Sequence, residues 1–415
     1  MIKSVKIENY KSIQSLEVDV GRFNVIIGEN GAGKSNFLEA LVLFGAAEAN
    51  KLDNEFLVSR GVRVCSLKHM FSLFESNNDI ISITIRASQF EHFHKYQFYL
   101  VDSFYKKIQA DYFFLASPDV NEIQAGSKTP SVDMLIQELI EINYPSVNKH
   151  TIVIGDNKDD EYFEKIMPLI IRKIEENELS ISTPNDSLNR NGIKKRQILN
   201  FLLYSPENTA LRNFYREGQI EPLGINGEGL LKLLKVMQES EKEAFADVLT
   251  CLELFDWFEQ IDVPKDMTSL EDKVNIKDKY LSVMFDQRSA NEGFLFVLFY
   301  AALFCSQYTP KIFAIDNIDA SFNPKLCTAI IKKLVELAKK YDKQVFVTTH
   351  NPAILDGIDL GDEEQKLFVA SRNKQGHTRF KTLTIADKPK SSTGEPIRLS
   401  EAFLRGYLGG LPKNF

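Results

Sequence analysis

The sequence of 415 residues predicts an α/β fold built on a largely parallel sheet. Three observations support this prediction. A short apolar run, FNVIIG, leads into a glycine-rich loop and then a helix within the first fifty residues. Buried strands are also predicted at 311–316 and 344–350, with an amphipathic helix between them and an apolar helix before them. Such alternation is typical of domains in which helices cover a parallel sheet.

The spacing of apolar residues predicts the other elements. Residues 2–9 and 15–20 alternate apolar and polar side chains, as half-buried strands do. IISITIRA and YQFYLV predict two more strands, and FLLYSPENTALRNF predicts a strand, a turn and the start of a helix. INGEGLLKLLKVM and KLCTAIIKKLVELAKK carry apolar residues every three or four positions, which predicts helices.

The chain is predicted to contain two lobes and an insertion. Residues 1–119 form the N-terminal lobe with the glycine-rich loop, and residues 199–415 form the C-terminal lobe. Between them, residues 120–198 hold two candidate helices, VDMLIQELIEI and FEKIMPLIIRKIEEN, and loops rich in Pro, Asn, Ser and Gly. We interpret this middle segment as a mainly helical insertion.

Composition restricts the class of protein. Hydrophobic residues make up 44% and charged residues 26%, as in ordinary globular proteins. The net charge of -7 argues against a surface that coats nucleic acid throughout. The four cysteines are scattered, which is typical of thiols in a reducing cytoplasm. MIKSVKIENYKSI lacks a signal core, and FLFVLFYAALFC is too short to span a bilayer, so we expect a cytoplasmic protein without a membrane partner.

GENGAGKS, residues 28–35, matches the phosphate-binding pattern GxxxxGK[ST] of P-loop NTPases. Its backbone N–H groups can surround phosphate oxygens at the positive end of the following helix. Lys34 is expected to reach the β- and γ-phosphates, and Ser35 to ligate Mg²⁺. The predicted nucleotide-binding residues are Asn30, Gly31, Ala32, Gly33, Lys34, Ser35 and Asn36.

Two later strands end on residues suited to the same site. IFAID ends at Asp316, whose carboxylate can hold magnesium, partly through water, together with Ser35. VFVTTH ends at His350, which can donate a hydrogen bond to a γ-phosphate. Asn317 follows Asp316 at a position where a water-activating glutamate often stands, and an amide cannot act as a base. Asp316, Asn317 and His350 are therefore the predicted catalytic positions.

A small polar turn precedes the apolar helix. Asn291, Glu292 and Gly293 lie at the expected helix N-terminus, where backbone N–H groups can bind an anion. From the residues alone, this turn could be an anion site or a simple helix N-cap.

The order of GENGAGKS, ANEG, IFAID and TTH resembles the ATP-binding-cassette (ABC) ATPases, and especially their SMC-like, RecF-like and OLD-like heads. The opening IKSVKIENYKSI resembles the first strand of those heads. YSPENTALR, EPLGINGEGLLKLL, IDNIDASFNP and LSEAFLRGYLGGLPKNF are similar to PtuA-type ATPase subunits of the Septu and retron-associated anti-phage defence systems.

This resemblance implies an ABC ATPase head with ATP and Mg²⁺ as cofactors. It also implies a head-to-tail dimer or higher oligomer, in which Asn291 to Gly293 of one subunit contact ATP bound by another. Asp319 and Ala320 would lie in the loop that links the two sites. The implied partner is a separate effector nuclease, either HNH PtuB-like or TOPRIM-type, which the ATPase regulates as a sensor or scaffold.

Several alternatives stay open. Asn317 predicts slow or regulated hydrolysis, but Asp319 or a distant carboxylate such as Glu207 could supply the base, or the asparagine could be an engineered change. DNA is a further candidate partner, through the basic residues Arg190 and Lys194 to Arg196. The alternative function is a RecF-like repair or recombination ATPase that clamps DNA, and a transporter subunit is a third.

Overall fold

The structure is a computed structural model that describes residues 1–49, 51–65, 67–74, 80–87, 91–101, 104–114, 150–153, 179–181, 198, 200–213, 222–264, 273–389 and 397–411. The chain divides into two compact units, Met1–Asp19 with Cys65–Arg196, and Val20–Val64 with Gln197–Phe415. Both predicted helices of the insertion, and the basic residues at 190 and 194–196, lie outside the described residues. The lobe boundaries at 119 and 198 stay predictions.

The first unit contains a seven-stranded sheet with the order β2-β1-β4-β5-β6-β7-β8. Its neighbouring strands are antiparallel except for β7 and β8. Alternation in β1 buries Val5 and Ile7 fully, as predicted for a half-buried strand. The strands are β1 Ile2–Tyr10, β2 Ile13–Asp19, β4 Ile80–Ala87, β5 Glu91–Val101, β6 Phe104–Phe114, β7 His150–Val153 and β8 Leu179–Ile181.

The second unit is built on a six-stranded sheet, which comprises β3 Phe23–Gly28, β9 Leu203–Tyr204, β13 Ile312–Ile315, β14 Gln344–Thr349, β15 Gln365–Arg372 and β16 Thr378–Leu383. The strand order is β16-β15-β3-β14-β13-β9, and all neighbours are parallel except β15 and β16. Every residue of β3, β13 and β14 is buried. Because β3, β14 and β13 run parallel, their carboxyl ends meet at one edge of the sheet. Ligands bind at this edge in open α/β folds.

A smaller antiparallel sheet in this unit contains β10 Phe258–Asp262, β11 Asn275–Asp278 and β12 Phe285–Asp286. The α-helices described in the structure are α1 Lys34–Glu48, α2 Asn54–Ser59, α3 Asn208–Leu211, α4 Leu230–Ser240, α5 Lys242–Leu252, α6 Glu292–Cys305, α7 Pro324–Lys340 and α8 Leu399–Leu404. Short 3₁₀ helices occur at Leu67–Met70, Pro352–Gly357 and Ile385–Asp387.

Helix α6 is central to the core of the second unit. It is buried on all sides from Phe294 to Cys305. The Phe304 ring centroid lies 6.3 Å from that of Phe23 in β3 and 5.2 Å from that of Phe313 in β13. These contacts place α6 against the sheet, so its half-buried N-terminal turn is followed by a helix that is buried from Phe294 onward. No helix within the described ranges has the length and apolar character needed to cross a membrane.

The predicted α/β class with a largely parallel sheet is confirmed. The strands at 80–87 and 96–101 form part of a meander, β4-β5-β6. The predicted helices before 240, after Gly293 and at 325–340 are also present. Helix α5, the β10–β12 sheet and the β15–β16 hairpin were not predicted from the sequence. Helix α5 does carry apolar residues at helical spacing, with Phe245, Val248 and Leu252 buried, whereas the strands of the β10–β12 sheet are short and half-exposed.

Candidate nucleotide-binding site

The glycine-rich loop begins where the buried strand β3 ends. At Gly28 a Cβ atom would lie 2.2 Å from the backbone oxygen of Ala370 in β15, so only glycine fits between the two strands. Gly31 has φ +76° and open space around it. The loop then enters α1, whose N-cap is Gly33. This strand, loop and helix present backbone N–H groups toward the carboxyl edge of the sheet.

Lys34 lies over the loop in a fixed position. Its Nζ donates hydrogen bonds to the carbonyl oxygens of Gly28 at 2.9 Å and Glu29 at 3.0 Å. The same Nζ lies 3.5 Å from Nδ1 of His350. The structure therefore brings together two predicted site residues that are 316 positions apart in the chain.

Burial and charge perturb both of these groups. Burial lowers the pKa of Lys34 to about 8, although Asp316, Asp319 and Glu29 act in the opposite direction. Partial burial and the charge of Lys34 lower the pKa of His350 below its ordinary value, against Asp319 and Asp316. A neutral imidazole carries one N–H donor, so His350 can donate to a phosphate oxygen at neutral pH.

Asp316 makes hydrogen bonds to residues of helix α1 and of strands β14 and β9. Ser35 Oγ donates a hydrogen bond to Asp316 Oδ2 at 2.9 Å. The hydroxyl of Thr348, in β14, donates to Asp316 Oδ1. The backbone N–H of Asp316 donates to the Tyr204 carbonyl in β9 at 2.8 Å. A carboxylate and a hydroxyl at this separation form the hard oxygen set that Mg²⁺ prefers.

The strand order shows how Asp316 reaches Ser35. Strand β14 lies between β3 and β13, so Asp316 is not on the strand next to the P-loop strand. The side chains of Asp316 and Ser35 meet across the end of β14, beside Thr348.

Asn317 has an exposed side chain on a left-handed backbone. Its φ is +54°, and its N–H donates to Thr348 Oγ1 at 2.9 Å. Asparagine tolerates this conformation better than most residues. The structure places Asn317 beside Asp316, where its amide can orient water but cannot accept a proton.

The polar turn before α6 is a helix N-cap. The side chain of Asn291 accepts a hydrogen bond from the Phe294 N–H at 2.8 Å. A Cβ at Gly293 would lie 3.2 Å from the Ser321 carbonyl, so the turn packs against the loop that follows β13. Within the described part of the chain, Asn291, Glu292 and Gly293 make no hydrogen bond to the P-loop. Their contact with the ATP of another subunit stays a prediction.

The β15–β16 hairpin supports the P-loop and was missed in the sequence. Arg372 Nε donates to the Gly31 carbonyl at 2.7 Å, and the buried Thr378 Oγ1 donates to the Ala32 carbonyl at 3.0 Å. These two bonds attach successive carbonyl groups of the P-loop to the β15–β16 hairpin. No local motif marks Arg372 or Thr378, since the partners are more than 340 residues away.

The remaining predicted residues lie on or near the same loop. Asn30 is exposed and precedes Gly31, and Asn36 lies half-buried in the first turn of α1. Glu207, one alternative source of a base, is exposed and caps α3 just beyond β9. Since β9 pairs with β13, Glu207 follows the strand next to that of Asp316.

Two protein-family models match the chain. One, described as "AAA ATPase domain", matches residues 1–239, which include the P-loop. The other, described as "AAA domain, putative AbiEii toxin, Type IV TA system", matches residues 283–356, which include Asp316 and His350. The P-loop geometry and these matches together confirm the predicted P-loop NTPase class.

Several proteins are similar over short segments. The chain is 33% identical over 92 residues to the uncharacterized protein MJECL10 of Methanocaldococcus jannaschii, covering 21% of this chain and 41% of that protein. It is 37% identical over 51 residues to the DNA replication and repair protein RecF of Exiguobacterium, covering 12% of this chain and 14% of that protein. It is 50% identical over 42 residues to an ATP/GTP phosphatase of Helicobacter pylori, covering 10% of this chain and 11% of that protein. The matches span less than half the length of these relatives.

Solved SMC head structures align with most of the chain. A structure of the SmcHead bound to the C-winged helix domain of ScpA aligns with a TM-score of 0.47 and 14% identity, covering 93% of this chain and 98% of that one. The Smc head domain with an extended coiled coil, from Pyrococcus furiosus, aligns with a TM-score of 0.48 and 13% identity, covering 93% of this chain and 96% of that one. The fold assignment itself depends on the strand order and P-loop geometry above.

Proposed function

Because the chain belongs to the AAA ATPase domain family, we propose that it binds ATP and Mg²⁺ at the P-loop and uses the nucleotide as a switch. The observation that carries this proposal is the convergence of Lys34, Ser35, Asp316 and His350 at one sheet edge. These four residues come from three separate parts of the sequence.

The side chains fit the two ligands. Lys34 is a buried cation that contacts two carbonyl oxygens, which leaves its charge available to a polyphosphate. Ser35 and Asp316 would hold Mg²⁺, partly through water, and Asn30 to Asn36 would surround the phosphates. Bound Mg²⁺ would neutralise charge on the β- and γ-phosphates. His350 would donate to the γ-phosphate and so distinguish ATP from ADP.

We expect hydrolysis to be slow or regulated. A residue that takes the proton of water contributes about 10²–10⁴-fold to rate, and Asn317 cannot do so. Binding requires no proton transfer, so the site can hold ATP for long periods. In that case ATP would stabilise an assembled state until it is hydrolysed.

The proposed assembly is a head-to-tail dimer or higher oligomer of this chain. Asn291, Glu292 and Gly293 would contact the ATP of another subunit, with backbone N–H groups of α6 facing a phosphate. The free amide of Asn291 would donate to the same phosphate, because its oxygen already caps the helix.

The proposed cellular role is regulation of a separate effector nuclease, HNH PtuB-like or TOPRIM-type, in cytoplasmic anti-phage defence. Support comes from the segments YSPENTALR and IDNIDASFNP, which resemble PtuA-type subunits. The description of the second family model, which names the AbiEii toxin of a Type IV TA system, is compatible with a defence role.

A RecF-like ATPase that clamps DNA is the second candidate. The short matches to RecF proteins favour it. It predicts ATP-dependent DNA binding by the isolated chain, with an affinity that falls steeply as salt rises. The net charge of -7 favours the first candidate.

The test combines ATP binding with single-turnover hydrolysis by the purified chain. We expect wild type to retain ATP and turn over slowly, Lys34→Ala to bind none, and Asn317→Glu to hydrolyse faster. Brisk turnover by wild type would contradict the switch. The cellular role is checked by phage plating with the native operon, in which Lys34→Ala should abolish protection. Unchanged protection, together with salt-sensitive DNA binding, would favour the RecF-like function.

A further inference from the structure

The turn after β13 runs alongside the end of β14. The Ile318 N–H donates to the Thr348 carbonyl at 3.0 Å, and the Ala320 N–H donates to the Asn317 carbonyl at 3.1 Å. Asp319 follows Ile318 directly, and His350 comes two residues after Thr348. These bonds fix Asp319 next to the strand end that carries His350.

The Asp319 carboxylate has no partner among the described residues. Its Oδ1 is buried and accepts no hydrogen bond, and no ion pair involves the side chain. Asp316, three residues earlier, differs because both of its oxygens accept hydrogen bonds. A buried carboxylate oxygen without a donor is rare in folded proteins and calls for a ligand or water. Asp319 therefore has lone pairs available at the edge of the nucleotide site.

Charge effects show which groups surround Asp319. On the site side, its charge acts to raise the pKa of Lys34 and of His350, opposing burial in both. On the core side, burial and the Asp319 charge raise the pKa of Tyr300 in α6 and of Cys327 in α7. The Asp319 carboxylate is therefore close enough to Lys34 and His350 for its charge to act on both.

The other candidate carboxylate is less favourably placed. Glu207 is exposed, and its charge is absent from the causes that shift Lys34 and His350. The side chain of Asn317 is exposed and carries no carboxylate. Of the alternatives left open by the sequence, Asp319 alone combines proximity with an unpartnered oxygen.

We propose that Asp319 accepts the proton of the attacking water during ATP hydrolysis, in place of the glutamate missing at position 317. The inference rests on the proposed ATP site. The water oxygen bonds to the γ-phosphorus while the bond from that phosphorus to the β–γ bridging oxygen breaks, and ADP leaves with the electron pair. The water proton passes to the Asp319 carboxylate and then to solvent. Because Asp319 lies beyond the usual base position, we expect turnover to be slow.

Hydrolysis and binding are measured separately on the full chain. We expect Asp319→Asn to lower single-turnover hydrolysis by about 10²-fold or more, with ATP affinity within about threefold of wild type because the change is isosteric. Asp319→Glu should restore part of the rate, since it keeps the carboxylate. Asp256→Asn, an exposed carboxylate far along the chain, is the matched control and should leave the rate unchanged.

A second measurement does not depend on turnover. The His350 imidazole is titrated by NMR in the protein without nucleotide, and its signals are assigned with His350→Gln. Removing the Asp319 charge removes an effect that raises the His350 pKa, so Asp319→Asn should titrate at lower pH than wild type. An unchanged His350 pKa would mean that the carboxylate does not face the site and would overturn the inference.

The outcomes separate the two proposals. If wild type does not bind ATP, the proposed function fails and the inference fails with it. If wild type binds ATP and Asp319→Asn hydrolyses it at the wild-type rate, only the inference is overturned. A loss of rate in Glu207→Gln instead, or the absence of any hydrolysis in wild type, would also overturn it while ATP binding stands.

Discussion

Asn291 and Asn323 cap two helices in the same way, which allows capping to be separated from ligand binding. The Asn291 side chain accepts from the Phe294 N–H at 2.8 Å, and Asn323 accepts from the Leu326 N–H at 2.9 Å. Replacing either asparagine by alanine should lower the free energy of unfolding by about 1 kcal/mol. Aspartate accepts the same bond and favours the positive helix end, so Asn→Asp should preserve stability at both positions.

The two aspartate variants should differ in assembly. In the proposed dimer the Asn291 amide donates to a phosphate, and a hydrogen bond to a charged group contributes about 1.5–3 kcal/mol. Asn291→Asp replaces that donor with a negative charge, so ATP-dependent dimerisation should weaken by roughly 10- to 150-fold or more. Asn323→Asp should dimerise as wild type does. Denaturant unfolding measures stability, and sedimentation with and without ATP measures dimerisation.

Two results would contradict a contact between Asn291 and phosphate. If Asn291→Asp dimerises with ATP as strongly as wild type, the amide makes no contact with phosphate and Asn291 is only a helix cap. Equal loss of dimerisation in Asn291→Asp and Asn323→Asp would also contradict a specific role.

Three further predictions concern the P-loop. Gly31→Ala should cost roughly 1–2 kcal/mol of stability, because alanine is strained at a φ of +76°. Gly28→Ala should cost more, because the added Cβ would lie 2.2 Å from a backbone oxygen. Thermal unfolding of the two variants checks this order. Thr378→Val leaves the buried Ala32 carbonyl without its donor, at a cost of about 1–3 kcal/mol, so both stability and ATP affinity should fall in calorimetry. The pKa of Lys34 is about 8 in the free protein. Above that pH, ATP affinity should fall by about tenfold per pH unit, because binding then requires proton uptake by Lys34. Lys34→Arg should remove this fall, since arginine stays charged.

Much of the fold could be predicted because the relevant signals are local. Apolar runs identified β3, β13 and β14, and the apolar period identified α7. The smaller sheet β10–β12 was not predicted, because its strands are short and half-exposed and lack a consistent alternation. The α/β class was thus predictable, while the number and pairing of strands were not.

The sequence by itself determined the phosphate-binding loop, because its geometry depends on consecutive residues. Glycines set the loop backbone, and the helix that follows sets the direction of its N–H groups. The same residue order also predicted Asp316 and His350 as site residues. It showed that the residue after Asp316 is Asn317, whose amide cannot act as a base.

Only the tertiary structure decided which distant groups meet the loop. Ser35 contacts Asp316 across 281 residues, and Arg372 contacts Gly31 across 341. These contacts depend on the order of strands in the sheet, which no local pattern specifies, because many strand orders satisfy the same apolar periods. Asp319 was one of several candidate bases in the sequence, and only the packing of β13 beside β14 distinguished it, by leaving its buried Oδ1 without a hydrogen-bond partner among the described residues.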